Sequence, residues 1–146
     1  MTDLTVRGAQ FCEFWRERRP ASLSTVRADG TVHAVPVGVT LDAEAGLARV
    51  ITSGDSHKAR QVLAAGAAGA AVALCQVDGR RWSTLEGRAV LRADPESVAE
   101  AERRYAQRYR RPRPNPQRVV IEVRITRVLG SASLGATGNS RAPEPA

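Results

Sequence analysis

The chain has 146 residues, of which 42% are hydrophobic and 4% aromatic, and its formal net charge is +7. This length fits one domain, whose core must be built from Val, Leu, Ile and Ala. The positive charge indicates an anionic partner, such as nucleic acid, an acidic membrane surface or a phosphorylated small molecule. There is no leader-like N-terminus and no apolar run near the roughly 18 residues of a membrane span. Cys12 and Cys75 have neither metal-ligand nor disulfide spacing, so we expect a cytoplasmic protein without a membrane segment.

The first half of the chain is predicted to form a helix followed by antiparallel strands. Residues 4–18 place apolar side chains at the spacing of an amphipathic helix, which Pro20 ends. Three strands follow, over residues 21–27, 31–41 and 47–52. An Asp-Gly turn joins the first two as a hairpin, and Pro36 indicates an edge or a bulge in the second.

The second half is predicted to contain two helices and three further strands. The helices span residues 55–65 and 94–109, and the strands span residues 71–77, 81–92 and 119–129. Because short turns join most of the six strands, the pattern predicts a mainly β fold with peripheral helices, closed as an antiparallel barrel over residues 1–134. The Gly-, Ser- and Pro-rich residues 135–146 are predicted to be a disordered tail.

The most informative stretch, residues 49–58, joins the third strand to the helix that follows it. It combines hydroxyl side chains and a glycine with Lys58, the only lysine of the chain. A helix N-terminus offers unpaired N–H groups and partial positive charge, so Ser53, Ser56 and Lys58 predict a phosphate site. Arg49 is expected to reach over from the strand. The alternative is that Asp55 or Ser56 merely caps the helix and that Lys58 is solvated.

Two histidines have open roles at this stage. His33 is either an acid/base or cofactor contact on the second strand, or a hydrogen-bonded residue at its rim. His57, next to Lys58, either helps to bind an anion or is simply exposed. The chain shows no Ser-His-Asp order, no paired-carboxylate spacing and no metal-ligand cluster. We therefore predict no catalytic side chain and no metal site.

Arginines are dense between residues 103 and 118. Tyr105 and Tyr109 lie in the first part of this stretch, and three prolines lie in its second part. This pattern is either a nucleic-acid surface or a solvated helix face with a charged loop. The prolines exclude a helix after residue 110 and indicate a rigid arm, which could pack on a second subunit. No fingerprint of a known nucleic-acid module accompanies the arginines, so nucleic acid is not the expected partner.

The order of these segments resembles the FMN-binding split-barrel superfamily, which includes the pyridoxamine 5′-phosphate oxidase-like proteins. The resemblance rests on the hairpin, the phosphate stretch and the fifth strand, at residues 21–40, 49–59 and 82–88. Its deazaflavin-dependent branch, which uses coenzyme F420 and includes biliverdin reductases, is indicated by further segments. These are residues 76–79, 105–110, 112–116, 119–123 and 127–130.

The resemblance implies a homodimeric six-stranded split barrel with the cofactor in a groove between subunits. The cofactor phosphate would be bound by Thr52, Ser53, Ser56 and Lys58. The deazaflavin ring would lie along the strand formed by His33, Ala34, Val35, Pro36 and Val37. Further contacts from the next strands would come from Gln76, Arg81 and Trp82. Arg118 and the proline loop could come from the partner subunit.

The reaction implied by the resemblance is hydride transfer from reduced coenzyme F420 to a small organic acceptor, with biliverdin as one candidate. The cofactor carries this chemistry, which agrees with the lack of a catalytic constellation. Two alternatives stay open. One is an FMN-binding, pyridoxamine 5′-phosphate oxidase-like protein, and the other is a non-catalytic cofactor- or nucleic-acid-binding module.

Overall fold

The computed structural model describes residues 3–134 and 140–141, and this part of the chain is mainly β. The strands are β1 (Ala21–Val26), β2 (Val32–Val37), β3 (Val39–Asp42), β4 (Leu47–Ser53), β5 (Ala70–Asp78), β6 (Arg81–Arg92), β7 (Arg118–Gly130) and β8 (Ser140–Arg141). The α-helices are α1 (Ala9–Phe14), α2 (His57–Ala64) and α3 (Pro95–Arg108). Within the described residues, no helix is both long enough and apolar enough to cross a membrane.

The strands form one antiparallel sheet in the order β2-β1-β5-β6-β7-β4-β3, and β8 pairs with β7. β2 and β3 lie at opposite ends of this order, yet only Gly38 separates them in the chain. The sheet must therefore curl until its two ends meet at this glycine, which gives a split barrel. This confirms the predicted fold class, although the described residues form eight strands where six were expected.

The interruption between β2 and β3 at Gly38 has a steric reason. The strand predicted over residues 31–41 is instead β2 paired with β1 and β3 paired with β4. A Cβ atom at Gly38 would lie 2.7 Å from Cε2 of Tyr105, in α3, and 3.3 Å from Cε2 of Tyr109, the residue after α3. Glycine lets these two rings pack against the corner.

The N-terminal helix predicted over residues 4–18 is wrong in its extent. The structure has a 3-10 turn over Leu4–Arg7 and then the six-residue helix α1. Gly8 separates them with φ of 101°, a conformation that L side chains rarely adopt and that no continuous helix permits. The apolar residues that suggested a long helix are buried all the same, because Leu4, Phe11 and Trp15 pack on the core.

The core fills the concave side of the curled sheet with Val, Leu and Ile side chains from all the long strands, as the composition predicted. Phe11, Phe14 and Trp15 join this core from α1 and the residue after it, and Trp15 Nε1 donates to Ser83 Oγ at 3.1 Å. A bulge between Glu86 and Gly87 shifts the register of β6 against β7. The predicted tail falls largely outside the described residues, which include only its strand β8.

Candidate functional site

A groove of about 370 Å³ opens where the Gly38 corner, the end of β4, the start of α2 and the loop between α3 and β7 meet. We call it the basic groove, because Lys58, Arg110, Arg113 and Arg118 line it together with the polar residues Thr52, Ser53 and Asn115. The chain brings these cations together from three separate segments. The groove therefore offers a positive surface of the size of a small-molecule site.

The loop between β4 and α2 is held in place by local hydrogen bonds. Ser56 is the N-cap of α2, and its Oγ accepts from the backbone N–H of Ala59 at 3.2 Å. Thr52 Oγ1 donates to Ser56 Oγ at 3.0 Å. The backbone N–H of Gly54 donates to the carbonyl of Gln117 at 2.8 Å, which ties this loop to the start of β7. The expected helix start at this loop is confirmed, although α2 begins at His57 rather than at residue 55.

Lys58 supplies the positive charge at the centre of this arrangement. Its side chain is half-buried, and none of the described residues gives it a hydrogen bond or an ion pair. Burial lowers the pKa of Lys58 below its usual value of 10.5. A half-buried ammonium group without a counter-ion is unfavourable unless an anion is bound, so the groove fits a phosphate group.

The arginines of the basic groove are of two kinds. Arg118 is nearly buried, and it is fixed by an ion pair with Glu102 and by a hydrogen bond of 2.6 Å to the carbonyl of Arg113. The side chains of Arg110 and Arg113 are exposed, and the described residues contain no acidic partner for either. Arg118 lines the groove in the same chain as Lys58, so a partner subunit is not needed to bring it there.

The structure gathers part of the predicted site in the groove. Its lining includes the predicted residues Pro36, Val37, Thr52, Ser53, Lys58 and Arg118. Ser56 stands behind Thr52 through their hydrogen bond. Ala34 and Val35 lie further up β2, on alternating faces of the strand. The predicted phosphate stretch and the end of the predicted ring-binding strand therefore border a single cavity.

Arg49, Gln76, Arg81 and Trp82 are four of the nine predicted contacts that do not line the basic groove. Arg49 is nearly buried under α3, with its Nη1 3.8 Å from Asp42 Oδ2. Gln76 is fully buried, and its Nε2 donates to the Phe14 carbonyl at 2.7 Å.

Arg49 was expected to reach over to the phosphate, and the structure places its nearly buried guanidinium near Asp42 and outside the lining of the basic groove. Arg81 is held by Glu17 and Asp78, whose hydrogen bonds and charges raise the pKa of this arginine. Trp82 is half-buried beside it at the start of β6. The fully buried Gln76 has no exposed surface to offer a ligand.

His33 and His57 form a pair beside the groove, with ring centroids 5.4 Å apart. His33 Nδ1 is buried without a hydrogen-bond partner. Burial lowers the pKa of His33, and the nearby charges of Arg27, His57 and Lys58 lower it further. His33 is therefore predominantly neutral at pH 7. A neutral imidazole ring can lie against a bound cofactor.

Sequence reasoning missed the structural role of two residues near the end of α3. Arg108 is buried, and its guanidinium donates to the carbonyls of Glu17 and Val39 and to Oε1 of Gln76. Tyr109 Oη donates to the Arg19 carbonyl at 2.6 Å. The sequence feature that could have indicated an inward-facing Tyr109 is its i, i+4 spacing from Tyr105. This spacing places both rings on the same side at the end of α3.

The arginines between residues 103 and 118 thus have several different roles. Arg103 and Arg104 pair with Glu100, and their hydrogen bonds, together with their charges, lower the pKa of Glu100 to about 2. Arg108 is in the core and Arg118 is paired with Glu102. Only part of this stretch faces solvent, which weakens the case for a continuous nucleic-acid surface.

Comparisons with known proteins agree with this geometry. A family model for pyridoxamine 5′-phosphate oxidase matches residues 8–132. The chain is 58% identical over 121 residues to an F420H(2)-dependent biliverdin reductase of Mycobacterium tuberculosis, which covers 83% of this chain and 85% of that protein.

Solved structures with the same fold are more distant in sequence. The crystal structure of the conserved hypothetical protein Rv2991 from Mycobacterium tuberculosis is 20% identical, with a TM-score of 0.70 over 89% of this chain and 87% of that one. A structure described as an F420 reductase is 24% identical, with a TM-score of 0.63 over 80% of this chain and 93% of that one. These two likenesses show the fold.

Proposed function

Because this chain belongs to the pyridoxamine 5′-phosphate oxidase family, we propose that it is a reductase that binds coenzyme F420 in the basic groove and reduces an organic acceptor. The similarity to the mycobacterial F420H(2)-dependent biliverdin reductase supports the choice of cofactor and makes biliverdin the first acceptor to test. The observation that carries the proposal is Lys58, a half-buried ammonium group that has no counter-ion among the described residues.

The end of β4 and the start of α2 would hold the cofactor phosphate. Lys58 supplies the charge, and the hydroxyl of Ser53 lines the same cavity as a hydrogen-bond donor. Thr52 lines it as well, with its own O–H donated to Ser56. Ser56 fixes Thr52 in place and caps the helix whose N-terminus faces the anion. Arg110 and Arg113 would face the acidic tail of coenzyme F420, since their exposed side chains have no acidic partner among the described residues.

The rest of the groove would position the ring system. When bound, reduced coenzyme F420 supplies a hydride to the acceptor, so the protein needs no nucleophilic side chain. Pro36 and Val37 offer an apolar wall at the end of β2, with His33, Ala34 and Val35 further along that strand. Arg81 and Trp82, which were expected to contact the cofactor, do not line this groove.

The activity is tested by mixing the purified protein with reduced coenzyme F420 and biliverdin and following cofactor oxidation by absorbance. We expect cofactor oxidation that depends on both the protein and the acceptor. A panel that adds simple quinones separates a biliverdin reductase from a reductase of broader range. If no acceptor oxidises the reduced cofactor while FMN binds and turns over, the FMN-dependent alternative replaces this proposal.

The affinity for coenzyme F420 is expected to fall at high pH as Lys58 loses its proton. Burial lowers the pKa of Lys58 below 10.5, so the decline begins at a lower pH than for a solvated lysine. The charged form of Lys58 binds the cofactor more tightly. The affinity is therefore constant below the pKa of Lys58 in the free protein, falls by about tenfold per pH unit above it, and levels off above the pKa of Lys58 in the complex.

The matched variant for this measurement is Lys58→Arg, whose guanidinium stays charged throughout the range. The affinity of the Lys58→Arg variant for coenzyme F420 should not fall at alkaline pH. An equal decline in wild type and Lys58→Arg, measured by equilibrium titration between neutral and alkaline pH, would assign the effect to another group.

We also propose a cytoplasmic homodimer. Val26 and Val32 face each other across β1 and β2 and are 55% and 65% exposed, and Val77 on β5 is 62% exposed. Such apolar sheet surface is suited to burial against a second subunit. Light scattering on the purified protein measures its mass, and a monomer at micromolar concentration would contradict the dimer.

A further inference from the structure

A second cavity, of about 450 Å³, adjoins the basic groove on the other side of the Gly38 corner. Its lining is Arg18, Arg19, Pro20, Pro36, Val37, Gly38, Tyr105 and Tyr109. We call it the tyrosine cavity. It shares Pro36, Val37, Gly38 and Tyr105 with the basic groove. The two cavities are therefore neighbouring compartments around one piece of wall, and molecules bound in each would lie close together.

The walls of the tyrosine cavity differ in chemistry from those of the basic groove. Two aromatic rings, two prolines and a valine form most of its lining, with no hydroxyl side chain apart from the tyrosines. The rings of Tyr105 and Tyr109 lie 5.0 Å apart and are tilted by 36°. This surface favours a flat conjugated molecule, because aromatic rings stack on such faces.

The aromatic wall is rigid before any ligand binds. Tyr109 Oη is held by the Arg19 carbonyl at 2.6 Å and by the backbone N–H of Val39 at 3.2 Å. The Arg108 guanidinium lies 5.1 Å from the centre of the Tyr109 ring and is itself buried. Tyr105 packs against Gly38, where a Cβ atom would overlap its ring. A preformed wall lowers the ordering cost of binding.

The rim of the cavity carries a cation, Arg18, that no acidic residue in the described part of the chain neutralises. Arg19 is balanced by Glu17 and Asp78, at 3.2 Å and 3.1 Å. Its neighbour Arg18 is exposed, and the described residues give it neither a hydrogen bond nor an ion pair. A free guanidinium beside an apolar cavity selects for a ligand that carries a carboxylate, which it can bind through two parallel hydrogen bonds.

From these observations we propose that the tyrosine cavity is the acceptor site and that Arg18 selects flat conjugated acceptors that carry carboxylates. This inference rests on the proposed function, in which the cofactor phosphate occupies the basic groove. The acceptor must lie next to the cofactor, and the tyrosine cavity is the compartment that shares a wall with that groove. Biliverdin, a conjugated molecule with two carboxylates, belongs to the selected class.

The test is direct binding, without turnover. Biliverdin and its dimethyl ester are titrated into wild type, Arg18→Gln and Arg18→Lys, each loaded with oxidised coenzyme F420, by following the quenching of protein fluorescence. Arg16→Gln is the matched control, because Arg16 is also exposed, pairs only with Glu13 and does not line the tyrosine cavity.

We expect Arg18→Gln to weaken biliverdin binding by about fivefold and to leave the binding of the ester unchanged, since the ester has no carboxylate for Arg18 to hold. Arg18→Lys should retain most of the affinity, and Arg16→Gln should match wild type. The affinity for coenzyme F420 should be the same in all four proteins.

Three results would overturn the inference. They are equal binding of biliverdin by wild type and Arg18→Gln, an equal loss for biliverdin and its ester, and a weaker affinity of Arg18→Gln for coenzyme F420. The last would show that the tyrosine cavity holds the cofactor. Failure of wild type to bind coenzyme F420 would instead refute the proposed function.

Discussion

Replacing Lys58 by alanine is expected to weaken the binding of coenzyme F420 by about 1.5–3 kcal/mol, which is roughly ten- to a hundredfold in Kd. Lys58 is the only lysine of the chain, and no acidic residue among those described neutralises it. Its loss would leave the phosphate with hydroxyl and backbone donors and with more distant arginines. Equilibrium titration followed by cofactor fluorescence measures the change.

Arg60→Ala is the matched control for Lys58→Ala. Arg60 lies two residues further along α2, is exposed and does not line the basic groove. Its removal lowers the net charge of the protein by the same amount, so it tests whether position or total charge matters. Equal losses in the two variants, or an unchanged affinity in Lys58→Ala, would remove Lys58 from the site.

Replacing Arg108 by alanine is expected to lower the free energy of unfolding by about 3–5 kcal/mol. The Arg108 guanidinium donates to three acceptors from three elements, at Glu17, Val39 and Gln76. Removal leaves buried oxygens without a donor and opens a cavity between α3 and the sheet, and both effects are costly. Because Val39 adjoins Gly38, the damage would extend to the wall shared by both cavities.

Chemical denaturation of Arg108→Ala and of Arg103→Ala measures the difference. Arg103 is also on α3, but it is exposed and pairs only with Glu100, so its loss should cost less than about 1 kcal/mol. Similar free energies of unfolding for Arg108→Ala and Arg103→Ala would show that the Arg108 hydrogen bonds do not stabilise the fold.

Local patterns predicted most of the strands and two of the helices well. The strand predicted over residues 81–92 coincides with β6, where Ser83, Leu85 and Ala89 point inward as the alternation indicates. α3 begins where Asp94 caps the helix and Pro95 takes its first position. These features depend on neighbouring residues in the sequence, so the sequence alone determines them.

Features that depend on distant contacts escaped prediction. The alternation of apolar residues continues through Gly38, so nothing local marks the point where the chain changes its partner strand. That corner exists because Tyr105 and Tyr109, nearly 70 positions later, need room for their rings. Similarly, the register shift at Gly87 follows from the carbonyl of Arg124, which a Cβ atom would meet at 2.1 Å.

The candidate site likewise contains some features that the local sequence predicts and others that it does not. Lys58 and its hydroxyl neighbours lie within one strand-to-helix connection, and the structure brings them to the basic groove as expected. Gln76 and Arg49 have polar side chains that suggested ligand contacts. The partner of Gln76, Arg108, is distant in sequence and was not predictable from spacing. The partner of Arg49, Asp42, lies on the neighbouring strand of the β3–β4 hairpin.

The central claim is that the basic groove binds coenzyme F420 rather than FMN. Titration of the purified protein with each cofactor, followed by fluorescence, tests it most directly. We expect a Kd for coenzyme F420 in the low micromolar range or tighter, about −8 kcal/mol or better, and weaker binding of FMN. Tight binding of FMN without binding of coenzyme F420 would contradict it.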